Sequence, residues 1–538
     1  MQLARRSLLH VLWIATAVRV LAPSAADPDL WGHLVFGGIL LGGVLPTTNA
    51  FSYTAGAHPW VNHELLAEAS MALAYRAWGG LGLIVLKAVL GGATLAIVYR
   101  TASRRSHATW AAAVATALAA VTMLCGLMIR PQLFTLLFLA VTLHVLARSH
   151  YRARGAAWLL PLMNVVWINT HGGVVAGVGL ATLALAAGAL RPTPPVTHPG
   201  VFPNGRSDRG RELARAALLV ALLTGALLVN PYGLRLPLFL ATEVTPHVPI
   251  TEWAHVPLGD PSFPLFKMTL VALIPWLVWQ RRARLPETVV LLATAVVALL
   301  HQRHIPLFAI AAAPLVAAML ADTARRLRRR ADLQRVRRLA AASLVAVAAL
   351  QVVFASTSVV RDGTHIDVDP NVYPVQALRF LAQNRIGGRV ALPFDWGEVA
   401  LWSLPPGSTV AIDGRFTTAY PQEVLDEAWR FMQGGPSWDD LLTRHSTEVV
   451  ISARQQPPAW LLLRDADWEY VYSDPVAVVF VRRGSVAAAT LERLRAGELH
   501  VDQSPLGRDF PALARGADTL LPRDPTSSAT VADAWRDS

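Results

Sequence analysis

The sequence predicts a polytopic α-helical membrane protein of about eleven spans, with a small C-terminal extracytoplasmic α/β domain. Three observations predict it. Apolar windows follow one another over the first two thirds of the chain, and 54% of all residues are hydrophobic against only 16% charged, where soluble chains carry about 25% charged residues. Arginine clusters separate these windows in alternation. Near residue 360 the pattern changes to short β-branched runs alternating with amphipathic helical segments.

Windows able to cross roughly 30 Å of hydrocarbon lie near 8–25, 80–99, 108–128, 131–147, 156–169, 172–190, 214–229, 265–280, 286–301, 305–321 and 339–357. The first follows Arg5-Arg6 and ends in Ala-Pro-Ser-Ala-Ala, as a cleavable signal peptide does. Arg19 interrupts it late and many spans follow, so it reads as an uncleaved first span. The stretch 65–78 is an apolar helix belonging to a loop or half-span.

Arginine placement orients the chain. Arg-rich segments face the cytoplasm, and six of them (Arg5-Arg6, Arg100 to Arg105, Arg148 to Arg154, Arg191 to Arg215, Arg281 to Arg284, Arg325 to Arg338) fall on the N-terminal side. This predicts a multi-pass protein of the cytoplasmic (inner) membrane, with its N-terminus inside and everything after Thr357 outside. The net charge of +12, from 48 Lys+Arg against 36 Asp+Glu, is thereby a topology signal; no nucleic-acid partner is expected. The one cysteine, Cys125, excludes an intrachain disulfide and a cysteine-based metal site.

Three regions result: a membrane domain over 1–358 with a large first outer loop at 26–79, an α/β domain over 359–484, and a tail over 485–538 expected to be poorly ordered apart from one helix near Ala487–Arg495. Strands are expected at Arg389–Leu392, Thr409–Ile412, Glu448–Ser452, Trp468–Tyr472 and Ala477–Val481, and helices at Pro374–Asn384, Pro421–Met432 and Trp438–His445. No glycine-rich nucleotide motif occurs, which argues against a nucleotide-sugar donor.

The outer loops hold the chemistry. Asp27-Pro28-Asp29-Leu30-Trp31-Gly32-His33-Leu34 predicts a helix from Pro28 to about Leu41, capped by Asp27, with Asp29 and His33 one turn apart. Leu30, Trp31, Leu34, Phe36 and Ile39 make it apolar enough to lie in the membrane interface. Pro59-Trp60-Val61-Asn62-His63-Glu64 opens a second helix, with Glu64 and Glu68 one turn apart. One of the two carboxylates Asp27 and Asp29 is the candidate base or cation ligand; a helix cap and a solvated first-turn acid are their plain alternatives.

An acidic pair directly after the first span, in a large outer loop with short interfacial helices, resembles the GT-C class of membrane glycosyltransferases. That class includes protein O-mannosyltransferases, aminoarabinose transferases and oligosaccharyltransferase catalytic subunits. Asp27-Pro-Asp-Leu-Trp-x-His-Leu34, with Phe51-Ser-Tyr-Thr54 and Trp60-Val-x-His-Glu64, is similar to uncharacterised bacterial membrane proteins of that architecture. The resemblance covers roughly residues 1–360, and 370–484 more weakly. It implies transfer of a sugar from a polyprenyl-phosphate donor on the outer face to a glycan, lipid or protein. Asp27 or Asp29 would then be the base on the acceptor hydroxyl or would help to hold a divalent cation; no other cofactor is implied. No Trp-Trp-Asp motif occurs in the C-terminal region, which disfavours Asn-glycosylation.

His33, His63 and Glu64 join this loop as substrate-binding candidates. A lipid phosphate calls for basic groups at outer span ends. Arg130-Pro131-Gln132 and Arg303-His304 supply them, an interfacial anchor or local ion pair being the alternative for each arginine. Asn169 and His171 interrupt an apolar run and are cavity candidates, or a satisfied turn. Glu243, His247, Glu252 and His255 offer metal donors without a standard spacing. Asp413 and Arg415, after a predicted strand, read first as a structural pair. Two readings compete with the enzyme: a non-catalytic envelope-assembly protein, which tolerates Asn at both aspartates, and a transporter or flippase of lipid-linked intermediates, which leaves its cargo chemically intact.

Overall fold

The computed structural model describes residues 2–190, 205–242, 251–279, 285–328, 334–485, 488–502, 504 and 507–513. Glu243 and His247 lie outside them. The chain divides into two compact units: Met1–Pro23, Ile84–Leu240 and Pro249–Thr364 form the first, and Ser24–Leu83, Ala241–Val248 and His365–Ser538 the second.

The first unit is helical. Each window read as a span carries a helix: Gln2–Leu21, Gly80–Ser106, Thr109–Thr122, Gln132–Arg148, Leu160–Ile168, Val174–Ala189, Gly205–Gly225, Pro264–Trp279, Leu285–Leu300, Ile305–Arg328 and Gln334–Asp362. Two described helical stretches, Gly80–Ser106 and Gln302–Leu327, are long and apolar enough by themselves to cross a membrane. Ile305–Arg328 packs against Thr109–Thr122, Leu285–Leu300 and Pro264–Trp279. Small side chains let these backbones approach closely: Ala111, Ala112, Ala115, Ala312 and Ala317 are buried among Phe266, Leu273 and Phe308. Arg105 donates to Glu287 at 2.8 Å, and Arg152 and Arg154 pair with Glu212.

The second unit is built on a five-stranded sheet. β1 (Arg389–Ala391), β2 (Thr409–Val410), β3 (Val449–Ala453), β4 (Trp468–Ser473) and β5 (Ala477–Arg482) stand in the order β2-β1-β3-β5-β4. β1 runs parallel to β2 and β3, while β5 is antiparallel to β3 and β4. The β-branched runs that predicted the strands supply the buried centre: Val390, Val410, Val449, Val450, Ile451, Val479 and Val481. Helices Val375–Gln383, Gln422–Gln433 and Asp440–Arg444 occupy the expected stretches, and Gly397–Ser403 and Pro457–Leu462 are additional.

The first loop is part of this unit, not an appendage of the spans. Val410 donates its N–H to Phe51 O (3.0 Å) and Tyr53 donates to Val410 O (3.3 Å), so the loop extends the sheet beyond β2. Ala25 bridges Asp367, which in turn bridges Asp509. The interfacial role expected of helix Leu30–Leu41 is not what its apolar side chains do here. Leu30, Trp31, Leu34 and Phe36 are buried within the unit: Trp31 lies against Tyr373 and Phe510, and Phe36 against Phe51 and Trp60. Aromatic side chains bury large apolar areas and favour edge-on contacts with one another, which is how these rings pack. The helix expected near Ala487–Arg495 is present at Ala488–Arg495, and further on Pro511 O accepts the indole N–H of Trp31 at 3.3 Å.

Candidate functional site

The acidic turn opens the site in the second unit. The helix begins at Leu30, two residues after the expected start, because Asp27 arranges the turn before it. Asp27 Oδ1 accepts the N–H of Asp29 (3.2 Å) and its carbonyl accepts that of Leu30 (3.0 Å). Asp27 is only 2% exposed. Asp29 stands at the N-cap position, yet its side chain makes no capping hydrogen bond. It is half-buried and turned toward Gly414 and Glu398.

Glu398 was not legible as a site residue. It lies 3% exposed in helix Gly397–Ser403, and among the described residues its Oε2 has no hydrogen-bond partner. Two glycines make room for the pair. A Cβ on Gly32 would overlap the Glu398 carboxyl, and one on Gly414 would overlap Asp29 Oδ1 while lying 3.3 Å from Glu398 Oε1. Gly414 is thus the spacer against which both carboxyl groups rest. Burial first, then the charges of Asp29 and Asp413, hold the Glu398 carboxyl well above the ordinary carboxylate range; Arg415 opposes this and Glu68 adds to it.

A consequence for stability follows from linkage. The folded state keeps a proton on Glu398 that the unfolded chain releases near pH ~4.3. The stabilisation is complete below that pH and is lost as pH rises through the folded value. The second unit of the native protein is therefore expected to melt lower as pH climbs from acid toward neutral, and Glu398→Gln to flatten this dependence. Identical slopes for the two proteins in a pH series of melting curves would refute it.

In helix Leu30–Leu41, one turn on from Asp29, His33 Nδ1 lies 3.4 Å from Glu68 Oε1 and 3.7 Å from Glu64 Oε2. Asn62 organises both acids: its amide donates to Glu68 Oε2 (2.6 Å) and its carbonyl accepts the Glu64 N–H (2.8 Å). His63 Nε2 stands 3.7 Å from Glu64 Oε1. Burial pushes the Glu68 carboxyl up to about 8. One donor atom from each of His33, Glu64 and Glu68 lies within 4.8 Å of the other two, the one such cluster among the described residues. Imidazole with two carboxylates is a donor set that suits divalent transition metals.

Below these groups Asp413 and Arg415 form the structural pair that their spacing suggested. Arg415 Nη2 donates to Asp413 Oδ2 and to Asn49 Oδ1, both at 2.6 Å, and Tyr420 donates to Asp413 Oδ2 at 2.8 Å. The guanidinium lies 4.4–5.1 Å from the rings of Trp60, Phe36 and Phe51. The aromatics of the first loop therefore enclose a cation from the C-terminal sheet.

The remaining candidates belong to the first unit. Arg130 donates to Glu252 Oε1 at 2.6 Å, so its local ion pair is realised. Gln132 reaches Gly126 O at 3.5 Å. Asn169 donates to Val165 O and Val229 O, and His171 Nδ1 accepts the Gly173 N–H and meets Thr135 Oγ1 at 2.9 Å. Both side chains build the turn between two helices. Arg303 stacks over Trp253 at 4.5 Å, and His304 Nδ1 contacts Val297 O.

No family model and no curated protein matches the sequence. Solved structures do match its fold. The oligosaccharyltransferase of Archaeoglobus fulgidus, solved with a tethered acceptor peptide containing an NVT sequon, aligns at TM-score 0.52 and 13% identity over 83% of this chain and 69% of its own. ArnT from Cupriavidus metallidurans aligns at TM-score 0.52 and 13% identity over 88% of this chain and 96% of its own in the apo state. Bound to undecaprenyl phosphate, it aligns at TM-score 0.50 and 14% identity over 89% and 98%. At these identities the likeness is one of fold, and at that level the resemblance to GT-C glycosyltransferases is borne out.

Proposed function

We propose that this chain is a membrane glycosyltransferase that moves a sugar from a polyprenyl-phosphate donor to an acceptor hydroxyl on the outer face of the cytoplasmic membrane. The observation that carries the reading is the likeness to ArnT over nearly the whole of both chains. The acidic site of the second unit adds to it.

Asp29 is the base. It is half-exposed and uncommitted to capping, whereas Asp27 is buried in the turn. Its carboxylate takes the acceptor proton as the acceptor oxygen bonds to the anomeric carbon. The bond from that carbon to the phosphate oxygen breaks, and the polyprenyl phosphate leaves with the electron pair. Within the first unit, Arg130, Gln132, Arg303 and His304 are the candidates for binding a phosphate, with Asn169 and His171 as further substrate-binding candidates; within the second unit, His63 joins Asp29.

His33, Glu64 and Glu68 fit a divalent cation, which would supply positive charge to the phosphate. Titration of the apo protein with Mn2+ or Zn2+ is expected to show one saturable site, lost in Glu68→Gln and in His33→Ala. Equal binding by the wild type and both variants would remove this part of the proposal.

The reading as a whole is tested by incubating the purified protein with a polyprenyl-phosphate sugar and an envelope extract as acceptor. The expected result is loss of the lipid-linked sugar with stoichiometric release of polyprenyl phosphate. Movement of an intact donor across vesicles would support transport instead, and an unaltered, immobile donor the scaffold reading.

A further inference from the structure

The first unit holds a basic and aromatic cluster with a single acid inside it. Residues 251–256 lie along residues 299–304: Val256 donates to Leu299 O (3.0 Å), Gln302 donates its N–H to Ala254 O (3.1 Å), and His301 Nδ1 meets Trp253 O at 2.8 Å. Arg303 stacks on Trp253, and His301 and His304 stand edge-on to the same indole. Arg130 comes from the turn before helix Gln132–Arg148. In the three sequence stretches 126–132, 251–256 and 299–304, Glu252 is the only acid against Arg130, Arg303, His255, His301 and His304.

We propose that the Glu252 carboxylate is a built-in stand-in for a phosphate ester, holding Arg130 in its binding geometry and yielding that position to the ligand. This rests on the reading of Arg130 as a phosphate-binding residue. Carboxylate and phosphate present the same paired oxygens to a guanidinium, and Glu252 Oε1 already accepts from Arg130 Nη1 at 2.6 Å. The two partners are unequally placed: the Arg130 side chain is 18% exposed and that of Glu252 39%. The arginine is the fixed partner, and the glutamate is the one with room to swing into solvent. The main chain carrying Glu252 is pinned by the 299–304 contacts, so only its side chain has to move. Half-exposed ion pairs are weak, typically ~0.2–1 kcal/mol, and a phosphate with its larger charge outcompetes such a partner. Glu252 therefore sets the affinity of the site, screening out weak anions while admitting a phosphate.

The test is equilibrium binding to the full-length protein in detergent, with polyprenyl phosphate and inorganic phosphate as separate probes. Glu252→Gln removes the competing charge and keeps the shape; it is expected to bind polyprenyl phosphate about 1.4–5-fold more tightly, the pair energy converted to affinity. Glu252→Asp, whose carboxylate is drawn back, is expected to fall between the two. Arg130→Ala is expected to lose at least tenfold. Unchanged or weaker binding by Glu252→Gln, with Arg130→Ala impaired, overturns the stand-in while the phosphate reading of Arg130 survives. No effect of Arg130→Ala overturns both. A gain by Glu252→Gln toward inorganic phosphate as large as that toward the lipid supports the stand-in and assigns recognition to the phosphate group alone; a gain confined to the lipid supports it and assigns recognition to the lipid ester. Melting curves of each variant separate these outcomes from misfolding.

Discussion

Replacing Asp29 by Asn should lower sugar transfer by roughly 10²–10⁴-fold, the usual contribution of a general base, while leaving the protein folded. Asn is nearly isosteric and still accepts hydrogen bonds, but it takes no proton. Because the charge of Asp29 opposes ionisation of Glu398, its removal should also leave the second unit as stable as before or more so. Loss of activity with undiminished stability is the signature of a group held for chemistry at a structural cost. Asp27→Asn is the control. Its Oδ1 accepts the Asp29 N–H, and an amide oxygen does the same, so transfer should stay within a few-fold of wild type. A transfer assay beside a melting curve for each variant decides the matter. Equal activity of Asp29→Asn and wild type would exclude the base assignment, and equal impairment of both variants would mean that the turn matters as a unit.

The second large effect is expected at Arg415. Arg415→Met keeps much of the side-chain volume among Phe36, Phe51 and Trp60 but strands the fully buried Asp413. Leaving one member of a buried pair unpartnered costs roughly 3–5 kcal/mol, a large share of the stability of a single domain. The second unit should melt far below wild type and be cut early in limited proteolysis. Asp413→Asn combined with Arg415→Met removes both charges and should recover part of the loss, as a double-mutant cycle would show. A single variant that melts with wild type would mean that the pair carries no structural weight.

The helices were legible because a hydrophobic window announces itself without reference to anything else, and each window did carry one. The strands were legible for the same local reason: Val449–Ala453 and Ala477–Arg482 are β-branched runs bounded by turns. Glu68 was visible only as a neighbour of Glu64 one turn on, and its raised titration could not be foreseen without the burial that causes it. Glu398 was invisible. It comes directly after Phe394-Asp395-Trp396-Gly397, beyond strand β1, and nothing local says that its carboxyl meets residue 29. Trp31 and Phe36 read as membrane-facing in the sequence because rings in a loop after an apolar window look alike whether they meet lipid or, as Phe36 does, the guanidinium of Arg415. Periodicity reports which residues share a face, and it is silent about what that face meets.

The strand-like hydrogen bonds of Phe51 and Tyr53 to Val410 have a bearing on biogenesis. At ~5–20 residues per second, a ribosome that has made the first loop needs on the order of half a minute before its partner strand exists. Throughout that interval the aromatic face of the early segment is without its permanent cover, and a nascent chain stalled between the two is the species most exposed to chaperones and quality-control proteases.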